Sequence, residues 1–111
     1  MDVAERLRAA ALTVVTVCVP NAYDGDTSVY CTFNIDDSPE AEGDNSPTQM
    51  RHLIQLHLHC PPAGEFDPRA TKRGLCQAIH AAGFTYPEVT DSGDLEGGHF
   101  VLEFEDVDGD L

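Results

Sequence analysis

Lysine is nearly missing from this chain. Of 111 residues, six are Lys or Arg and 20 are Asp or Glu, so the formal net charge is −14. Lys72 is the single lysine. Recognition of nucleic acid through phosphates needs a cationic face, which this composition denies. An anionic membrane surface is excluded on the same ground. No apolar run approaches the roughly 20 residues needed to cross a bilayer. The opening Met1-Asp2-Val3-Ala4-Glu5-Arg6 lacks the basic start of a secretion signal, so synthesis and solubility in a cytoplasm are expected. There is no Cys-x-x-Cys pair. Cys18, Cys31, Cys60 and Cys76 are widely spaced within apolar patterns, which predicts buried free thiols rather than disulfides.

The signatures of catalysis are also missing. No serine sits in a Gly-x-Ser-x-Gly elbow, and no glycine-rich loop opens a helix. Cys76 falls inside a helical stretch and away from its N-terminus, so nothing lowers its pKa. The acid runs Asp24-x-Asp26, Asp91-x-x-Asp94 and Asp106-x-Asp108-x-Asp110 do not follow the calcium-loop pattern, which requires a glycine at position 6 and a distant Glu. No enzymatic activity and no cofactor are expected.

What is present suits one small globular domain. The hydrophobic fraction is 41%, enough for a modest core in a chain of this length. Two readings of the acidity stay open. Carboxylate-lined walls suit a passage through which DNA must slide without sticking. An Asp-rich, Lys-poor surface also suits a high-salt cytoplasm, where the Debye length shrinks to about 3 Å and clustered carboxylates stop repelling.

Along the chain, Asp2 can cap a short helix to about Leu12, with Val3, Leu7 and Ala10/Ala11 on one side. Thr13 to Val19 is β-branched and reads as a strand that Pro20 ends. Residues Asn21 to Asp26 have turn composition. Ser28 to Ile35 alternates, with Val29, Cys31, Phe33 and Ile35 on one face. Asp36 to Thr48 reads as a polar loop that orders only against a neighbour. Met50 to Cys60 alternates again, with His52, Ile54, Leu56, Leu58 and Cys60 facing one way and Leu53, Gln55, His57 and His59 the other. Asp67-Pro68 opens a helix to about Ala82; Gly83 is a natural stop, and Phe84 can fold back on the last turn. Tyr86–Val89 and His99–Glu105 form a closing hairpin with Phe100, Leu102 and Phe104 inward. The expected fold is α+β with two layers. A mostly antiparallel sheet of four or five strands is packed by one long helix, with a short N-terminal helix. Residues 1–105 form the domain, and 106–111 an acidic, frayed tail.

One constellation could bind metal. His57 and His59 share a strand face, and Cys76 and His80 stand one helical turn apart. Together they would make a zinc-type set, provided the helix covered the polar strand face. The apolar stripe at Leu75 and Ile79 argues against that, and the leading expectation is no metal. The alternative it leaves is a small metal-binding or regulatory module.

Taken as a series, these elements resemble a known family. A strand Tyr30-Cys31-Thr32-Phe33-Asn34 leads to a loop with Asp44-Asn45. A strand Ile54-Gln55-Leu56-His57-Leu58 follows, then a helix ending in Gly83-Phe84 and a last strand His99-Phe100-Val101-Leu102-Glu103-Phe104. This order resembles the tail terminator and tail completion proteins of long-tailed viruses, over roughly residues 1–105. The resemblance implies a non-enzymatic virion subunit, made in the host cytoplasm, that forms a hexameric ring at the head-proximal end of the tail tube. The implied partners are further copies of itself, the tail tube protein and the head–tail connector or stopper. Other connector subunits of the neck are similar in size. Relatives carry aromatic residues where this chain has His57 and His59, and Pro61-Pro62 is atypical. Contacts between subunits are expected at Asp36, Asp37, Asp44, Asn45, Asp91 and Asp94.

The charge yields a first testable outcome. If the acidity reflects a high-salt setting, the melting temperature should climb steeply between about 0.1 M and about 2 M KCl, as screening removes repulsion. Calorimetry over that range checks it, and a flat response removes the high-salt explanation.

Overall fold

A computed structural model of the chain describes residues 2–41, 47–61, 66–93 and 97–108. The elements run α1 (Val3–Ala11), β1 (Cys18–Pro20), β2 (Tyr30–Ala41), β3 (Pro47–Cys60), α2 (Arg69–Ala81), β4 (Glu88–Asp91) and β5 (Gly98–Asp108). The strands make one five-stranded sheet in the order β1-β2-β3-β5-β4. The fold is therefore α+β with a mixed sheet: β1 runs parallel to β2, and every other pair is antiparallel.

Alternation decides which face is covered. Cys31 and Phe33 of β2, Ile54, Leu56, Leu58 and Cys60 of β3, and Phe100, Leu102 and Phe104 of β5 are all buried. They meet Leu7 and Ala11 of α1 and Leu75, Cys76 and Ile79 of α2 in one cluster. The helices thus form the second layer, over one sheet face only. All four cysteines are free and buried, as their apolar settings predict.

Local chemistry sets the helix ends. The Asp2 carboxylate accepts the Glu5 N–H at 2.8 Å, satisfying one of the donors left over at the start of α1. At the other helix, Gly83 takes φ 103°, a conformation that costs any residue with a Cβ. That turn sends Phe84 back under the sheet, where its ring meets Phe104 edge-on at 5.3 Å. The Arg6 guanidinium lies 4.5 Å over the Phe84 ring, and its Nη2 sits 2.6 Å from the Asp106 carboxylate. No hydrogen bond is directed along that short approach, so the contact is an ion pair held in place by the ring.

Several sequence expectations need correction. The strand expected over Thr13–Val19 shrinks to Cys18–Pro20, because the chain first continues turning after α1. The Thr13 hydroxyl donates to the Ala10 carbonyl, and the Val14 and Val15 N–H groups both donate to that of Ala11. The sheet is mostly antiparallel, as expected, but not wholly: β1 is parallel to β2, because residues 21–29 carry the chain back before β2 starts, and Asn21 turns it with φ 66°. The segment expected as a loop over Asp36–Thr48 is mostly strand: β2 continues to Ala41 and β3 begins at Pro47. Ladder hydrogen bonds do not require apolar side chains, so pairing outruns the core. The helix expected to be long has 13 residues, and the expected short N-terminal helix, α1, packs beside it. The closing hairpin's first strand lies at Glu88–Asp91 rather than Tyr86–Val89. The tail expected from Asp106 is strand to Asp108, with Asp106 held by Arg6.

Phe33 and Phe104 flank the central strand, opposite Leu56 and Ile54 respectively, and both are buried. Truncating either to Ala should cost about 3–5 kcal/mol, against a total of about 5–15 kcal/mol for a small domain. Urea unfolding should show a collapsed midpoint or insoluble protein. A loss below about 1 kcal/mol would show that the residue is not part of the core.

Candidate functional site

Among the described residues, no helix covers the second face of the sheet. Its central part is built by β2, β3 and β5, with Tyr30 and Thr32, His57 and His59, and His99 pointing the same way. Register brings them together: Tyr30 is opposite His59, which is opposite His99, while Thr32 is opposite His57. The rings form a row. Tyr23 meets Tyr30 at 4.7 Å, Tyr30 stacks on His59 at 4.7 Å, and His59 stacks on His99 at 4.6 Å with planes 10° apart. His57 closes the row against His99 at 5.1 Å.

The ring nitrogens are engaged with one another. His57 Nδ1 and His99 Nε2 are 2.9 Å apart, so one donates a proton to the other. His59 Nε2 lies 3.4 Å from the Thr32 hydroxyl, which is itself buried beneath the rings. Beside the row is a hollow of about 330 Å³ bordered by Ser28, Tyr30, His59, Cys60, Gly98 and His99. On the covered face, a Cβ at Gly98 would stand 2.5 Å from the Cys60 sulfur, so glycine there makes room for the buried thiol.

Partial burial holds the His57 pKa below the ordinary value, with His99 as a second cause. His59 is lowered by burial first, then by His99 and His57. Both rings are therefore neutral at pH 7. The thiols are unreactive by the same physics. Burial pushes Cys18 up to about 11 and raises Cys31 further, and it also raises Cys60 and Cys76.

Further along the same face, Gln55 donates to Glu103 at 3.3 Å. Beyond them is an acidic groove of about 570 Å³ whose borders include Asp36, Leu53, Tyr86, Glu88, Glu103 and Glu105. The exposed apolar side chains Leu53 and Tyr86 face it.

The four-residue zinc set does not assemble. His57 and His59 are on the open face, whereas Cys76 is in the core beneath α2, the layer on the other side of the sheet. His80 is exposed and donates its Nδ1–H to the Phe84 carbonyl at 3.2 Å. Among the described residues, no three His, Cys, Asp or Glu side chains stand ready, as placed, to hold a metal ion. Sequence reasoning assigned His99 only to the closing hairpin; pairing across β5 makes it the centre of the row.

Of the expected contact positions, Asp36 and Asp37 are exposed on β2, with Asp37 Oδ1 2.5 Å from His52 Nδ1. Asp91 is exposed at the end of β4, where it accepts the Gly93 N–H at 2.9 Å. Asp44, Asn45 and Asp94 lie outside the described residues. No helix among the described residues is long and apolar enough to cross a membrane. No protein family and no curated protein matches the chain.

The lowered histidines set a pH dependence. Between their folded pKa values and about 6.5, the value for an unfolded chain, the unfolded state binds more protons. Stability contributed by the neutral row is complete above about pH 6.5 and is lost as pH falls through the folded values. In metal-free buffer the melting temperature should drop between about pH 7.5 and about pH 5.5. His59→Gln should flatten that drop. An equally steep fall in the variant would place the sensitivity elsewhere.

Proposed function

We propose that this chain is the subunit of a homo-oligomeric ring, a hexamer, at the head-proximal end of a viral tail tube. There it ends tail polymerisation and joins tail to head, touching the tail tube protein on one side and the head–tail connector on the other. Its role is structural, not enzymatic, and its place is the tail or neck of the virion. The sequence resemblance motivates this reading, and the element order α-β-β-β-α-β-β follows the series that carries it.

One structural observation supports self-assembly above the rest. The β2–β3–β5 ribbon runs on past the cluster that the helices cover. β3 alone has 14 residues, about 46 Å of extended chain at 3.3 Å per residue. β1 lines β2 only along Cys31–Phe33, so among the described residues the outer edge of β2 carries no strand from Asn34 onward. Unpaired strand edges are templates for pairing with another chain. The acidic side chains on this edge block pairing while repulsion is strong and permit it when salt or a cationic partner screens them. An acidic ring would also let DNA pass without binding it.

Parity along β2 supplies a clean test. Cys31 N–H donates outward to the Val17 carbonyl, and the Phe33 carbonyl accepts outward from Asn21 N–H. Alternation turns Ile35 and Asp37 outward too. Asp37→Pro therefore removes an outward N–H while leaving the β2–β3 ladder intact. Light scattering and negative-stain microscopy of untagged protein in high salt should show rings of about six 12.0 kDa subunits for the parent chain. The variant should stay monomeric with a similar melting temperature. A parent chain that remains monomeric at every salt concentration and alongside tail tube protein would overturn the reading. A ring of different number would point to another connector of the neck.

A further inference from the structure

We propose that His57 and His59 of β3 and His99 of β5 form a binding site for a divalent transition metal on the open face of the sheet. The inference rests on one subunit and is independent of the ring reading. Its first support is topology. Two histidines at i and i+2 on one strand, with a third directly across on the antiparallel neighbour, project three imidazoles to one side. No backbone change is needed to gather them.

The second support is distance. A Zn–N bond of about 2.0–2.1 Å places each ring centre about 3.2 Å from the metal. Ligand angles between about 90° and 110° then separate ring centres by about 4.5–5.2 Å. The observed separations are 4.6 Å for His59–His99, 5.1 Å for His57–His99 and 6.3 Å for His57–His59. Two already fit, and the third needs to close by about 1 Å. What differs is ring orientation. The planes are stacked, so the nitrogens face one another and Thr32 rather than a common centre. Side-chain rotation would have to turn them, and the rings are half-exposed, with no helix over them among the described residues.

The third support is the chemistry of the donors. His57 Nδ1 and His99 Nε2 already approach to 2.9 Å, a distance that converging lone pairs reach only by sharing a proton or a cation. Neutral imidazoles are the form that binds metal, and the net charge of −14 raises the local concentration of cations. Imidazole sets suit Zn²⁺, Ni²⁺ and Cu²⁺ rather than Ca²⁺ or Mg²⁺. The buried thiols stand on the other face and do not compete. A bound ion would tie β3 to β5 and keep its remaining positions open to water.

Calorimetric titration of untagged protein with NiCl₂ and ZnCl₂ tests this. One ion per chain should bind, raising the melting temperature by about 5 °C at saturation. His57→Gln, His59→Gln and His99→Gln should each weaken binding by at least about tenfold, while His52→Gln and His80→Gln should leave it unchanged. In the parent chain, Zn²⁺ should shift the ring NMR signals of the three histidines and not those of His52 or His80. This readout holds even if a variant misfolds. Co²⁺ should give d–d bands without sulfur charge transfer. Absence of saturable binding, retention of binding in the triple Gln variant, or a thiolate band would overturn the site.

Discussion

Everything in this fold hangs on the alternation of β3. It is the middle strand, hydrogen-bonded to β2 on one side and β5 on the other. Ile54, Leu56, Leu58 and Cys60 point to the helices, and Gln55, His57 and His59 point away. A slip of one residue would bury the histidines and expose the four apolar side chains, at roughly 1.5–3 kcal/mol for each large apolar side chain exposed. That penalty fixes the register on both sides at once. It thereby decides that Tyr30, His59 and His99 stand in one line across three strands. The aromatic row then follows from the face that the core fixes together with the observed pairing of the three strands.

The second constraint is the scarcity of cations. Those whose contacts the structure shows are engaged within the chain. Arg6 lies on Phe84 and against Asp106, and Arg8 donates to the Cys18 carbonyl at 3.0 Å. Lys72 sits 4.2 Å over the Phe100 ring. Arg69 holds Asp67 at the start of α2, and those hydrogen bonds, the backbone one first, lower the Asp67 pKa. Arg6, Arg8 and Lys72 each join a helix to another part of the chain, so few cations remain to neutralise the carboxylates outside. The protein keeps its architecture with local cation contacts and leaves long-range repulsion to the solvent.

How much of this could be read in advance depended on range. Features set within a few residues were legible: the Asp2 cap, the Gly83 stop with Phe84 folding back, the inward phenylalanines and the buried thiols. The faces of β3 were legible because period-two alternation is local. What escaped depended on partners distant in sequence. Nothing near Cys18 announces a parallel neighbour. The acids of Asp36 and Asp37 suggest a loop, yet the ladder with Leu53 and His52 carries them into the sheet. His99 looked like hairpin filler until pairing put it opposite His59. Cys76 and His80 looked like partners for His57 and His59 until the helical layer was assigned to the other side.

The two ends of the sheet face opposite energetic situations. Near Cys31, Leu58 and Phe100 the ribbon is backed by α1 and α2, and apolar burial offsets the entropy of ordering it. Toward Asp36, His52 and Asp106 the apolar backing thins out, and what holds the strands is their ladder plus the Asp37–His52 and Arg6–Asp106 contacts. A short ribbon without an apolar face is marginal in water. An arm built this way is the part of the molecule with most to gain from another surface. Its acidic edge makes that gain conditional on screening or on a partner of opposite charge. On the ring reading proposed above, the same imbalance of charge would let the exposed ribbon pair only where salt or a cationic partner screens its carboxylates.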